Sequence, residues 1–356
     1  MEQAGQPKVL KVHNRVLIKR LIKEKGAITK PEIAKFTKLS LPTVNKIMDE
    51  LVEEGYAIEA SLQERSKAGR KARTYILNDK FGTFLSIYYM DEKWIGSIVD
   101  IAGNVLSEIE SQALAGGKEL ETILSILDEL EQLAERVMAI GIGVPGIVLK
   151  DGTIDGIPLL PRLEGVRLAE VINQKYKQPV YIENDVKLMT LGYYNLRLNS
   201  LDNIVFLYIG SGIGAGILIN GQLYKGNCSF AGEFGYMVAA AEKKDVNDSE
   251  ENVEKRLISL RKKIQKKDCA EQYKLQFCRE IGRILINCSA VINPEAIVLY
   301  CDELDAGNLM QIETEIKRYL PKICVPKLCR TSDKRVGING LIALCQEGIA
   351  QKSVLS

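Results

Sequence analysis

The sequence predicts an α/β protein in three parts: an N-terminal winged helix-turn-helix followed by two α/β lobes. Three observations carry this. Residues 1–80 hold 17 Lys/Arg against 10 Asp/Glu, a net +7, while the remainder holds 31 against 36, a net −5. Inside that basic head, amphipathic helical segments precede two alternating, strand-like segments. From about Phe81 onward, strand-like and helix-like segments take turns, the pattern of an α/β sheet. At 356 residues the chain has room for two or three domains.

In the head, NRVLIKRLIKEK (14–25) places Val16, Leu17, Leu21 and Ile22 on one helical face, with Lys and Arg opposite. Gly26 ends that helix. Thr29-Lys30-Pro31-Glu32 is a capping box: the Thr29 hydroxyl caps the next helix, Glu32 reaches back, and Pro31 fits the first turn. After the turn KLS, Ser40 caps a third helix, LPTVNKIMDELVEEG, whose buried stripe is Val44, Ile47, Met48 and Leu51. Pro42, Thr43, Asn45 and Lys46 fall on its exposed N-terminal side, where a recognition helix meets base edges and phosphates. GYAIEA and RTYIL alternate as two strands around a basic loop holding Arg65, Lys67, Arg70, Lys71 and Arg73. Gly69-Arg70-Lys71 suits insertion of an arginine into a minor groove. A basic head on an acidic body points to a polyanionic partner, here DNA.

In the body, TFLSIYYM and WIGSIVDIAGNVLSE are strands, and GKELETILSILDELEQLAERV is an amphipathic helix with Leu120, Ile123, Leu124, Leu127, Leu130 and Leu133 on or near one face. AIGIGVPGIVL is a buried strand entering a Pro-Gly turn. VRLAEVINQKYK, PVYIEN and DVKLMTLGYYNL follow as helix, strand and helix. A second lobe opens at NIVFLYIGSGIGAGILINGQLYKG and continues through a helical region at about 248–292, the strand EAIVLYC, a helix around 306–320 and a closing helix GINGLIALCQEGIA. Gly210, Gly212 and Ala215 satisfy a loose dinucleotide fingerprint, but that motif needs a helix straight after its glycines. Asn220-Gly221 instead marks a two-residue hairpin between strands, which argues against a Rossmann site. No internal repeat is evident in the sequence.

No apolar run approaches the roughly 18 residues that span a bilayer, and the polar, basic start MEQAGQPKVLKVHNRV is not a secretory signal. A cytoplasmic protein with no membrane partner is expected. The eight cysteines are scattered without CxxC pairs, and the single histidine, His13, is remote from them. Free thiols and no metal site are therefore expected.

IGSGIGAGILINGQLYKG followed by AGEFGYM resembles the signature of the ROK family (repressors, open reading frames and kinases). GIGVPGIV followed by DGTI, and PVYIENDVKLMTLG, fit the same family in the same order, as does a winged helix running from HNRVLIKRLI to AGRKARTYILN. The resemblance implies a two-lobed, actin-like (RNase-H-like) sugar-kinase fold, a sugar site in the cleft, and a homodimer or dimer of dimers. The division it implies is 1–80 for the head, 81–198 and 199–334 for the two lobes, with a C-terminal helix at about 335–356 packing back on the first.

Family members are sugar kinases or sugar-responsive repressors, and the departures from the kinase pattern favour a repressor of the xylose- or N-acetylglucosamine-repressor type. Where kinases carry Asp-x-Gly-Gly-Thr for the ATP phosphates, this sequence has Tyr88-Tyr89-Met90-Asp91-Glu92, with carboxylates that repel phosphate. The glycine-rich adenosine loop is replaced by Tyr300-Cys301-Asp302-Glu303. No nucleotide cofactor and no enzyme activity are thus expected.

For the sugar, the resemblance implies Asn184, Asp185 (the position of the kinase general base), Glu233 and Tyr236, the last in place of a histidine. Leu159 stands where the family has a sugar-binding Asn, and a Cys-rich zinc loop is replaced by MVAAAEKKDVNDSEEN, so no metal is implied. From the residues alone, Asn184 and Asp185 serve equally as caps for the helix that follows. The expected function is a sugar-responsive, DNA-binding repressor of carbohydrate-utilisation genes. The alternatives are a ROK sugar kinase and a ligand-independent DNA-binding dimer.

Overall fold

The computed structural model describes residues 6–60, 73–90, 92–112, 117–196, 201–238, 252–266 and 270–355. The head comprises α1 (Gln6–Lys25), β1 (Ile28–Thr29), α2 (Lys30–Thr37), α3 (Leu41–Glu53), β2 (Ala57–Ala60) and β3 (Thr74–Leu77), with a three-stranded sheet ordered β1-β3-β2. The capping box at Thr29 and Glu32 is present with both of its bonds, and Ser40 caps α3 by accepting the Thr43 amide. Val44, Ile47, Met48 and Leu51 are the buried face of α3. On α1 the buried face differs from the expected one: Ile18, Leu21 and Ile22 are buried and Val16 is exposed. Residues two apart on a helix point about 200° apart, so packing Ile18 inward turns Val16 out.

The first lobe contains β4 (Thr83–Met90), β5 (Lys93–Asp100), β6 (Val105–Gln112), α4 (Glu119–Leu133), β7 (Val137–Val144), the short ribbon β8 (Ile147–Val148) and β9 (Ile154–Asp155), α5 (Leu168–Lys175) and β10 (Val180–Asn184). Its sheet runs β6-β5-β4-β7-β10; β4, β7 and β10 are parallel, and β4–β5–β6 is an antiparallel meander. Ile123, Ile126, Leu127 and Leu130 press α4 onto this sheet, whereas Leu133 at the helix end is exposed. After β10 comes α6 (Asp185–Leu196).

The second lobe contains β11 (Ile204–Ile209), β12 (Ile213–Ile219), β13 (Gln222–Leu223), α7 (Val253–Gln265), α8 (Ala270–Ile292), β14 (Ala296–Tyr300), α9 (Ala306–Tyr319) and β15 (Lys327–Thr331). Its sheet runs β13-β12-β11-β14-β15, with β11–β12–β13 antiparallel and β11, β14 and β15 parallel. Both lobes therefore use the same order: three antiparallel strands, then two parallel additions beside the first. Asn220 and Gly221, at φ 54° and 73°, form the tight turn between β12 and β13. Both central residues of that turn need positive φ, which is why Asn-Gly occupies it.

The final helix, α10 (Arg335–Leu355), crosses α6 between the two sheets. A Cβ at Gly192 would run into the Val336 carbonyl, and one at Gly340 into the Leu188 carbonyl. The two helices thus meet backbone to backbone, a distance only glycine permits. α10 also packs on β4, β7 and β10 of the first sheet and on α1 of the head. Ile342 and Cys345 of α10 share one buried cluster with Ile18, Ile22 and Met48 of the head and Phe84, Val99 and Ala139 of the first lobe. Arg20 of α1 lies over the ring of Tyr194 near the end of α6, 5.5 Å from its centroid. Among the described residues, no helix is long and apolar enough to cross a membrane.

Candidate functional site

β7 and β10 lie in parallel with Asn184 opposite Val144, so the Pro145-Gly146 turn and the start of α6 emerge side by side. Asn184 uses its whole carboxamide locally. Its Nδ2 donates to the Gly146 carbonyl at 3.0 Å, and its Oδ1 accepts the Lys187 amide at 3.0 Å, capping α6. Asp185 Oδ1 accepts the Val186 amide at 2.7 Å. Burial pushes the Asp185 carboxyl up to about 7; the Val186 amide pulls it back and the charge of Glu233 adds to the rise. Asp185 is half-buried rather than enclosed, so it is the packing of its surroundings that makes charge costly there.

Glu233 arrives from the second lobe, at the end of the loop that follows β13. It is half-buried, and burial raises its carboxyl too, with Lys187 opposing the rise and Glu254 adding to it. Lys187, whose charge acts on both carboxyls, is only 1% exposed, and its Nζ donates to the Ser229 carbonyl. Glu183, fully buried, accepts the Asn184 amide at 3.0 Å and pairs through its other oxygen with Lys225. The cleft therefore holds Glu183, Asp185 and Lys187 from one wall and Lys225 and Glu233 from the other.

The structure brings together Asn184, Asp185 and Glu233 of the four expected residues. Tyr236 is 58% exposed and packs edge-on against Phe230, ring centroids 5.2 Å apart, at the surface. Leu159 is also exposed. Sequence reasoning missed Lys187, Glu183 and Lys225. For Lys187 one signal was present: its neighbours Val186, Leu188, Met189 and Leu191 make α6 apolar on all sides, the mark of a buried helix.

The glycine hairpin between β11 and β12 is engaged from within the chain. Arg261 of α7 donates to the Gly210 carbonyl and pairs with Glu303 after β14 at 2.6 Å, while Glu254 of the same helix accepts the Ile213 amide at 3.3 Å. Opposite, Tyr88 packs against Gly143 and Gly337, so its ring fills space in the first lobe. Among the described residues no group of three or more His, Cys, Asp or Glu is placed to hold a metal.

In the head, Pro42, Asn45 and Lys46 are exposed at the start of α3, and Thr43 is half-buried with its hydroxyl 2.7 Å from that of Ser40. Arg70 and Lys71 lie outside the described residues.

Comparison with known proteins adds to this geometry. The ROK family profile matches residues 96–247, and a winged helix-turn-helix DNA-binding profile matches residues 14–57. The xylose repressor of Caldicellulosiruptor bescii is 31% identical over 245 residues, 65% of this chain and 60% of that protein. The chain thus spans 60% of the length of that relative. A crystal structure of a ROK family transcriptional regulator, a homologue of the E. coli Mlc protein, matches with a TM-score of 0.79 over 97% of this chain and 98% of the other, at 21% identity. A ROK hexokinase from Thermus thermophilus matches with a TM-score of 0.62 over 75% of this chain and 99% of its own, also at 21% identity. At such identities these two structures speak to the fold alone.

Proposed function

We propose that this chain, whose residues 96–247 match the ROK family profile and residues 14–57 a winged helix-turn-helix profile, is a sugar-responsive, DNA-binding transcriptional repressor of carbohydrate-utilisation genes, acting in the cytoplasm. The observation that carries this reading is the packing of the head onto the body through one buried cluster. A head with Pro42, Asn45 and Lys46 exposed on its third helix shares packed side chains with a body whose cleft presents Asp185 and Glu233. The head corresponds to residues 1–80, and the lobes to 81–198 and 199–334. A homodimer, or a dimer of dimers, sets two α3 helices into successive major grooves of a pseudo-palindromic operator. Arg70 and Lys71 add phosphate or minor-groove contacts.

The ligand in this reading is a neutral sugar, not a sugar phosphate. Asp185 and Glu233 are hydroxyl acceptors, and the two neighbouring ammonium groups are already engaged, Lys187 by Ser229 and Lys225 by Glu183. Asn184 serves the site by fixing the start of α6, and Tyr236 offers a ring at its rim. A relative bears the name xylose repressor, so D-xylose is the first sugar to test. Transfer of phosphate from ATP is not part of the reading: Arg261, itself paired with Glu303, and Glu254 occupy polar groups of the hairpin loop that would meet a nucleotide. The sugar shifts the population between conformations that fit and do not fit the operator.

The test is fluorescence anisotropy on DNA from upstream of the gene, with D-xylose, D-glucose and N-acetylglucosamine in turn. We expect one sugar to change operator affinity at least tenfold, and Asp185→Ala to abolish that response while binding DNA normally. Operator binding that no sugar alters would leave a ligand-independent DNA-binding dimer. ADP production that requires a sugar, and disappears in Asp185→Ala, would make the protein a kinase.

A further inference from the structure

Lys187 is a lysine with almost no contact with water in the first turn of a buried helix. Burying an ammonium is costly unless it is paired and hydrogen-bonded. Its surroundings supply compensation from every neighbouring element: Glu183 on β10, Asp185 on α6 itself, Glu233 before the turn at Phe234, and the backbone carbonyl of Ser229. Lys225 opposes it with like charge from across the cleft, and Glu254 of α7 faces Glu233.

The loop that receives this ammonium has few other anchors. From Lys225 to Glu233 it is closed by the Ala231 amide on the Lys225 carbonyl at 3.2 Å, and tied to β12 by the Ala215 amide on the Gly232 carbonyl at 2.7 Å. Ser229, at its centre, is 1% exposed and held at φ 61°, a left-handed conformation that a non-glycine residue adopts only under constraint. The Lys187–Ser229 bond crosses from α6 to that strained residue. Lys225–Glu183 crosses in the opposite direction a few residues away.

We propose that Lys187 is the positioning residue of the cleft: its enclosed ammonium fixes the Lys225–Glu233 loop through the Ser229 carbonyl and sets the charge balance between Asp185 and Glu233. The proposal rests on the sugar-site reading only for what the cleft holds. In its absence the loop relaxes at Ser229, Glu233 loses its place opposite Asp185, and two carboxylates face each other without a counter-charge. The positive charge of Lys187 holds down the carboxyls of both Asp185 and Glu233, so losing it moves both titrations upward.

The test compares wild type, Lys187→Met and Lys187→Met/Ser229→Gly, with no sugar present. We expect amide exchange across residues 226–234 to quicken at least tenfold in Lys187→Met. The Asp185 carboxyl, followed by carbon-detected NMR, should titrate above its wild-type midpoint. Adding Ser229→Gly should slow loop exchange again without returning the Asp185 midpoint, because strain is relieved but charge is not restored. An unchanged midpoint and unchanged loop exchange in Lys187→Met would overturn the proposal. Should that variant not fold, the wild type decides: the Lys187 ammonium protons are expected to exchange slowly with water, and fast exchange overturns the proposal. A protein that passes these tests yet binds no sugar would lose the sensor reading and keep this one.

Discussion

Asp185 begins α6, where the helix dipole favours a negative charge, yet burial and Glu233 together push its carboxyl up to about 7. That conflict has a stability consequence with a definite sign. The folded carboxyl holds its proton to higher pH than the unfolded one, so the folded state binds more protons between the two midpoints. Stability therefore falls as pH rises from about 4 to about 7. Asp185→Asn keeps an acceptor for the Val186 amide and removes the charge. It is expected to melt above the wild type at pH 8, with the difference closing as pH approaches 4; a difference independent of pH would refute this. At this scale the motif residues Asn184, Asp185 and Glu233 were legible in the sequence, because a local pattern carries them. Lys187 was not: a lysine reads as a solvated charge until the Ser229 loop, distant in sequence, is seen to receive it.

Among the elements, the crossing of α6 and α10 is the tightest contact between the middle and the end of the chain. Ala at Gly192 must displace the Val336 carbonyl, which belongs to backbone and cannot rotate away. Gly192→Ala is expected to cost about 3 kcal/mol in urea unfolding, since overpacking here strains two helices at once. A loss below about 0.5 kcal/mol would mean that the helices can slide apart. Elements defined by local chemistry were the easiest to read. The capping box at Thr29, the cap at Ser40 and the Asn220-Gly221 hairpin each depend on residues within a few positions of one another. The shared strand order of the two lobes was implied only by the family resemblance and not by the residue pattern, because strand pairing such as β11 with β14 joins residues about ninety apart. The helical stretch expected at about 248–292 contains α7 and α8, with residues 267–269 between them outside the described set.

Across the whole molecule, the head is not tethered alone but shares a buried cluster with the body. Tyr56 of the head meets Phe81 edge-on at 5.4 Å, and the Asn78 side chain donates to the Gly55 carbonyl at 2.8 Å. Ile342, 1% exposed, comes from the far end of the chain to complete this cluster. Ile342→Ala is expected to cost about 2–5 kcal/mol and to destabilise head and body together. Trp94, the single tryptophan and fully buried in the first lobe, reports the body by fluorescence, while amide exchange in α3 reports the head. Coincident transitions are expected, and a head that melts alone would refute the shared core. Charge asymmetry made the head visible as a unit in the sequence. That it is welded to the body was not visible, because the apolar residues of α10 carry no mark of which surface they cover.

The glycine contact in α6 has a mechanical side. The α10 backbone meets α6 at two points, Val336 against Gly192 and Gly340 against Leu188, so α6 has no single pivot and moves only together with α10. The pair forms one bar with Asp185 at its cleft end and Tyr194, under Arg20, at the other. A shift at the cleft would reach the head with its size preserved.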